Sequence, residues 1–172
     1  MSRSTALPIA YIFLRVLILL NWLGGAAILA LLTATIVAEE WTFAALGITP
    51  DSGIPAMIVG LRVIAALGLV GVLLNYTILK RLVAMVDTVR LGDPFVAANA
   101  YRLNFIGCVL VAQQLLSLAI AAVGKIISTP ANPVALDAGF SINGWLAVLL
   151  TFVLARVFAE GTLMPEDLEG TI

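Results

Sequence analysis

Four uncharged, largely apolar runs constrain this chain more than any other feature: residues 16–38 (23 residues), 63–79 (17), 103–124 (22) and 138–155 (18). A helix rising ~1.5 Å per residue needs ~20 apolar residues to cross the hydrocarbon core of a bilayer. Each run therefore reads as a membrane span, the second extending backward through Pro55 if Arg62 is tolerated. Composition agrees, with 62% hydrophobic and 11% charged residues, against roughly 45–50% and ~25% in soluble domains. The expected architecture is all-α: one membrane domain over residues 1–172, an integral four-helix bundle with spans near 14–38, 57–79, 100–124 and 139–158, and an acidic tail over 159–172.

Orientation follows from basic residues in the short flanking segments, which stay on the cytoplasmic side. Lys80, Arg81, Arg90 and Arg102 lie between spans two and three, whereas Glu39, Glu40 and Asp51 lie between spans one and two without a basic residue. The former connection is expected inside and the latter outside. Arg3, Arg15 and Arg156 then place both termini in the cytoplasm, with Lys125 the one exception. The first span is too long for the apolar core of a signal peptide, and Ile36-Val37-Ala38 is a poor cleavage site, so it reads as an uncleaved helix.

Several chemistries drop out on residue counts. The chain has no histidine and a single cysteine, Cys108, which removes histidine proton relays, His/Cys metal cages and an intramolecular disulfide. Nine basic against ten acidic residues give a net charge of −1, with no excess to clamp a phosphate backbone, so direct nucleic-acid binding is not expected. No phosphate-binding loop, nucleophile elbow, zinc-helix motif or pair of intramembrane carboxylates occurs. The expectation is a non-enzyme with no catalytic, cofactor-binding or metal-ligating residues, and no internal repeat of the transporter kind. Cys108, beside Gly107 in mid-span, reads as a small buried apolar residue.

The first external loop carries a turn at Thr49-Pro50-Asp51-Ser52-Gly53, and Trp41 and Phe43 suit headgroup anchors. The second carries Pro130 and Pro133. On the cytoplasmic side, helical periodicity over residues 80–91 puts Leu82, Met85, Val86 and Val89 on one face and Lys80, Arg81, Asp87 and Thr88 on the other. It predicts an amphipathic extension of span two that lies on the bilayer or meets a soluble partner. Leu91-Gly92-Asp93-Pro94-Phe95 follows: Gly92 suits a sharp reversal, Asp93 an N-cap and Pro94 a first helical position. The third helix is thus expected to start near Pro94, with Phe95 directed to the bundle or headgroups and Asn99 on the same helix.

Polar residues within the hydrocarbon need partners, and the candidates are Asn21, Arg62, Asn75, Gln113 and Gln114. Asn99, Ile106 and Gln113 recur at seven-residue spacing and share a helix face. Interhelical hydrogen bonds account for the amides, and an ion pair with Glu39, Glu40 or Asp51 for Arg62. A small-and-polar stripe at Gly60, Gly68, Gly71 and Asn75, and an alanine ridge at Ala26, Ala30, Ala34 and Ala38, allow close helix approach. A homo-oligomer stays open. In the tail, Pro165-Glu166-Asp167 resembles a first helical turn and Leu163, Met164, Leu168 and Ile172 await a cover. Both a frayed end and a docking peptide fit.

Two stretches resemble a known family. Leu79-Lys80-Arg81-Leu82, Leu91-Gly92-Asp93-Pro94-Phe95, Asn99, Arg102-Leu103 and Ile106-Gly107 form the first. Gly144, Leu154-Ala155-Arg156-Val157-Phe158, Gly161 and Glu166-Asp167-Leu168-Glu169-Gly170-Thr171-Ile172 form the second. Together they look like the bacterial domain-of-unknown-function family twenty-nine seventy-five, small four-helix proteins of the inner membrane often encoded beside a Cro-like helix-turn-helix regulator. The resemblance implies a multi-pass protein of the bacterial inner membrane that tethers, or signals to, such a regulator. Gly92, Asp93, Pro94, Phe95 and Asn99 would shape the docking face, and Glu166, Asp167, Leu168 and Glu169 would contact the partner. The rival expectation is a small permease or channel with a pathway between helices two and three, lined by Asn75, Asn99, Gln113 and Gln114.

Overall fold

The computed structural model describes residues 6–47 and 54–162. Five helices and no strand are found among them: α1 (Ala6–Val37), α2 (Glu39–Ala45), α3 (Ile54–Arg90), α4 (Ala97–Ile127) and α5 (Ile142–Gly161). Asp51 and the tail residues Leu163, Met164, Glu166, Asp167, Leu168, Glu169 and Ile172 fall outside the described residues. All but α2 are long and apolar enough to cross a membrane. Large apolar side chains stand exposed along all four, among them Leu19 and Leu23 on α1, Leu73 on α3, Leu115 on α4 and Val153 on α5. Contiguous apolar surface of that kind is unfavourable in water and is solvated by acyl chains. Fold and surface together are those of a multi-pass membrane protein.

The chain packs as two compact units. One comprises residues 6–20, 74–112 and 141–162. Its core is Ile78, Ile106 and Val109, with Leu74, Leu82, Met85, Phe105 and Leu110 packed around them. Leu82 and Met85, half of the apolar face expected to lie on a bilayer surface, are thus spent on packing α3 against α4. Thr88, expected on the solvent face with Lys80, is half-buried and turned toward α4. Here α5 packs closely on α4, since a Cβ at Gly107 would lie 2.9 Å from Phe152 Cε1. The helix starts at Ile142, a few residues later than expected, because Ser141 caps it: Ser141 Oγ accepts from Gly144 N–H (3.1 Å).

The other unit comprises residues 21–47, 54–73 and 113–140. Its helices approach at glycines: a Cβ on Gly25 would meet Val72 Cγ1 at 2.9 Å, and one on Gly60 would collide with the Ile127 side chain. Asn21 Nδ2 donates to the Val72 carbonyl (3.1 Å), an α1–α3 bond. The expected loop after span one instead contains α2, with Glu39 and Glu40 in the first turn, where carboxylates oppose the positive end of the helix dipole. Thr42 Oγ1 ties α2 to α1, donating to the Ala38 and Ala34 carbonyls (2.8 and 3.1 Å). Trp41 is 71% exposed, as an interfacial anchor would be, but Phe43 is buried at 7% and is not one. Seven residues are too few for periodicity to reveal such a helix.

Candidate functional site

The residues singled out between the second and third spans meet at one end of the first unit. α3 ends in a Schellman motif: Gly92 N–H donates to the Val89 carbonyl (3.1 Å) and Asp93 N–H to the Thr88 carbonyl (3.2 Å). Gly92 takes φ +94, a left-handed conformation that a side chain would oppose. The 94–96 segment then wraps around the side chain of Asn99. Asn99 is 0% exposed, the only fully buried large side chain among the described residues. Its Nδ2 donates to Thr88 Oγ1 (2.7 Å) and to the Pro94 carbonyl (2.9 Å), while its Oδ1 accepts from Arg102 Nη1 (2.7 Å). Thr88 Oγ1 in turn donates to the Met85 carbonyl (2.7 Å). Both amide hydrogens and the amide oxygen are therefore satisfied, as a buried carboxamide requires.

This arrangement corrects the expected helix start. α4 begins at Ala97, not at Pro94. Asp93 is exposed and contributes its backbone N–H rather than a side-chain cap, and Asn99 N–H bonds to the Val96 carbonyl (2.8 Å). The reason is competition for the Pro94 carbonyl: the Asn99 amide takes it, so the chain stays non-helical for three residues more. Phe95 then lies against the end of α5. Its ring centroid is 5.3 Å from that of Phe158, and a Cβ on Gly161 would lie 2.7 Å from Phe95 Cδ1. The α3–α4 turn thus touches α5 at Phe95 with Phe158 and Gly161, and α4 meets α5 at Gly107 with Phe152. Leu91, at the tip of the turn, is 86% exposed.

Thr88 and Arg102 were not among the expected site residues. Arg102 lies three positions after Asn99 on one helix and so within side-chain reach, a signal the sequence offered. Thr88 lies across the turn, and no spacing rule points to it. A second cation, Arg81, lies with its Cζ 3.5 Å from the centroid of the Phe105 ring and 5.9 Å from that of Tyr101, within cation–π range.

The remaining polar candidates are dispersed. Arg62 Nη2 donates to Glu39 Oε2 (2.7 Å) and to the Thr35 carbonyl, the ion pair expected of it, while its Nε is buried without a partner among the described residues. Asn75 is exposed on α3. Gln113 and Gln114 are half-buried on α4 in the second unit, and Gln114 Oε1 is buried without a partner among the described residues. Cys108 is exposed, contrary to the buried role expected, because it faces away from the side of α4 that carries Ile106 and Val109. Among the described residues no cluster of three or more His, Cys, Asp or Glu side chains is placed to hold a metal ion.

No family model, curated protein or solved structure matches the chain.

Proposed function

We infer that this is a non-enzymatic regulatory or scaffold protein of the bacterial inner membrane, with both termini inside. Its cytoplasmic face would comprise the α3–α4 turn, the end of α5 and the acidic tail. The observation that carries this reading is the sealed hydrogen-bond set of Asn99. It holds a turn with an exposed leucine at its tip in one conformation, and Phe95 ties that turn to α5. A preformed surface loses less conformational entropy on binding a partner. The partner's chemistry, a cytoplasmic helix-turn-helix regulator, comes from the family resemblance, and the basic residues around the turn supply the orientation.

The pathway reading has less support, because Asn99 is fully buried and both of its amide hydrogens are engaged within the protein. The test is co-purification from the native host of the full-length protein, a version ending at Glu160, Asp93→Ala and Phe95→Ala at matched protein levels. A DNA-binding protein retained by the first and lost from the Phe95→Ala and truncated forms is expected. Its absence from all four samples, or its undiminished presence in all, refutes the docking face.

A further inference from the structure

Three ion pairs occur among the described residues, using Arg62, Arg90 and Arg156. Lys80, Arg81 and Arg102 pair with no carboxylate among those residues, yet all three line one cavity of about 420 Å³. Tyr76, Thr77, Ala84 and Phe105 complete its wall, with no acidic side chain. Three uncompensated positive charges converging on one cavity repel one another, and an anion placed among them relieves that repulsion. We propose that this cavity between α3 and α4 binds the phosphate of an anionic phospholipid headgroup.

Two of the cations are already positioned. Arg81 sits over the Phe105 ring, and Arg102 is anchored through Nη1 to Asn99 Oδ1 and, at 3.4 Å, to the Ala84 carbonyl. Fixed guanidinium groups suit phosphate oxygens, and little side-chain entropy remains to be lost when the ligand arrives. Lys80 is exposed and free to close over the ligand. The location favours a lipid over a free phosphate. Lys80 and Arg81 directly follow the uncharged run 63–79, so the cavity sits at the edge of the hydrocarbon, where basic pockets between spans meet headgroups. Its positive charge also discriminates among lipids: the ammonium of a zwitterionic headgroup is repelled, whereas the glycerol of phosphatidylglycerol is not. The inference rests on the membrane-spanning reading but not on the partner.

The test uses full-length protein in mild detergent, titrated with phosphatidylglycerol, phosphatidylcholine or inorganic phosphate. Bound lipid is read by native mass spectrometry and the unfolding midpoint by heating. Phosphatidylglycerol is expected to bind and raise the midpoint, and phosphatidylcholine to do neither. Lys80→Gln should weaken phosphatidylglycerol about fivefold and Lys80→Gln with Arg81→Gln about 25-fold, from the usual contribution of each basic group near an anionic surface. Lys80→Arg should restore binding. Lys80→Gln leaves packing untouched, so its result stands even where the double variant folds poorly. Equal response to both lipids, or unchanged affinity in Lys80→Gln, overturns the proposal. A midpoint shift reproduced by inorganic phosphate overturns the lipid assignment in favour of a free-anion site. Neither outcome bears on whether a cytoplasmic protein docks at Phe95.

Discussion

Asn99→Ala removes three hydrogen bonds from a side chain with no exposure to solvent. Two are neutral, worth about 1 kcal/mol each, and the bond from Arg102 is charge-assisted and worth about 2 kcal/mol, a gross loss of about 4 kcal/mol. Two discounts apply. Arg102 is half-buried and can rotate toward solvent, and Thr88 keeps its bond to the Met85 carbonyl. These discounts leave an expected destabilisation of about 2–3 kcal/mol. Thr88→Val removes the acceptor for Asn99 and the hydroxyl donor to the Met85 carbonyl, and should cost about 1–2 kcal/mol. Combined with Asn99→Ala it should cost about 1 kcal/mol less than the sum of the two single substitutions, because the shared bond is lost only once. The assay is reversible unfolding by sodium dodecyl sulfate in mixed micelles, followed by fluorescence of the three tryptophans. Amide exchange at Gly92 and Asp93 adds a local reading. The reasoning fails if Asn99→Ala is neutral within about 0.5 kcal/mol, or if the two substitutions add within that margin.

Other expected outcomes follow from the same geometry. Gly92→Ala meets no neighbour within 4 Å but must hold φ +94, a strain of about 1–2 kcal/mol; unfolding midpoints compared with Gly92→Asn, a residue that tolerates this region better, check it. Gly60→Ala should destabilise through collision with Ile127, whereas Gly24→Ala meets nothing within 4 Å and should be neutral or stabilising by up to about 1 kcal/mol through helix propensity; the same unfolding assay reads both, and a reversed order refutes the packing at Gly60. The Arg62–Glu39 coupling in a double-mutant cycle should not exceed about 1 kcal/mol, since both side chains are partly exposed. Cys108, exposed on α4, should after spin labelling and return to bilayers be relaxed by oxygen and not by a water-soluble nickel chelate. The opposite pattern would show that this stretch of α4 is not in lipid.

Element type was legible where one physical quantity dominates. Burying a charge or an open backbone in hydrocarbon is so costly that uncharged run length alone located four helices, and the central residues of each run are helical. Gly92 was legible as a reversal because only glycine enters that region of backbone space readily. The edges were not. α2 is too short to show a period, and the starts of α4 and α5 shifted because side chains at Asn99 and Ser141 competed for the backbone groups that decide where a helix begins.

What the amino-acid sequence determined by itself is therefore local or solvent-driven: four long apolar helices, the reversal at Gly92 and the excess of basic residues on one side of the spans. Tertiary structure alone decided which polar atoms met. Thr88 joined Asn99 across the turn, Phe95 went to Phe158 and Gly161, Phe43 turned inward and Cys108 outward, and Lys80, Arg81 and Arg102 came to share one cavity. Periodicity assigns a residue to a face of its own helix. Which neighbour that face meets depends on the rotation of each helix against the others, and that is set by side-chain packing summed over the whole unit.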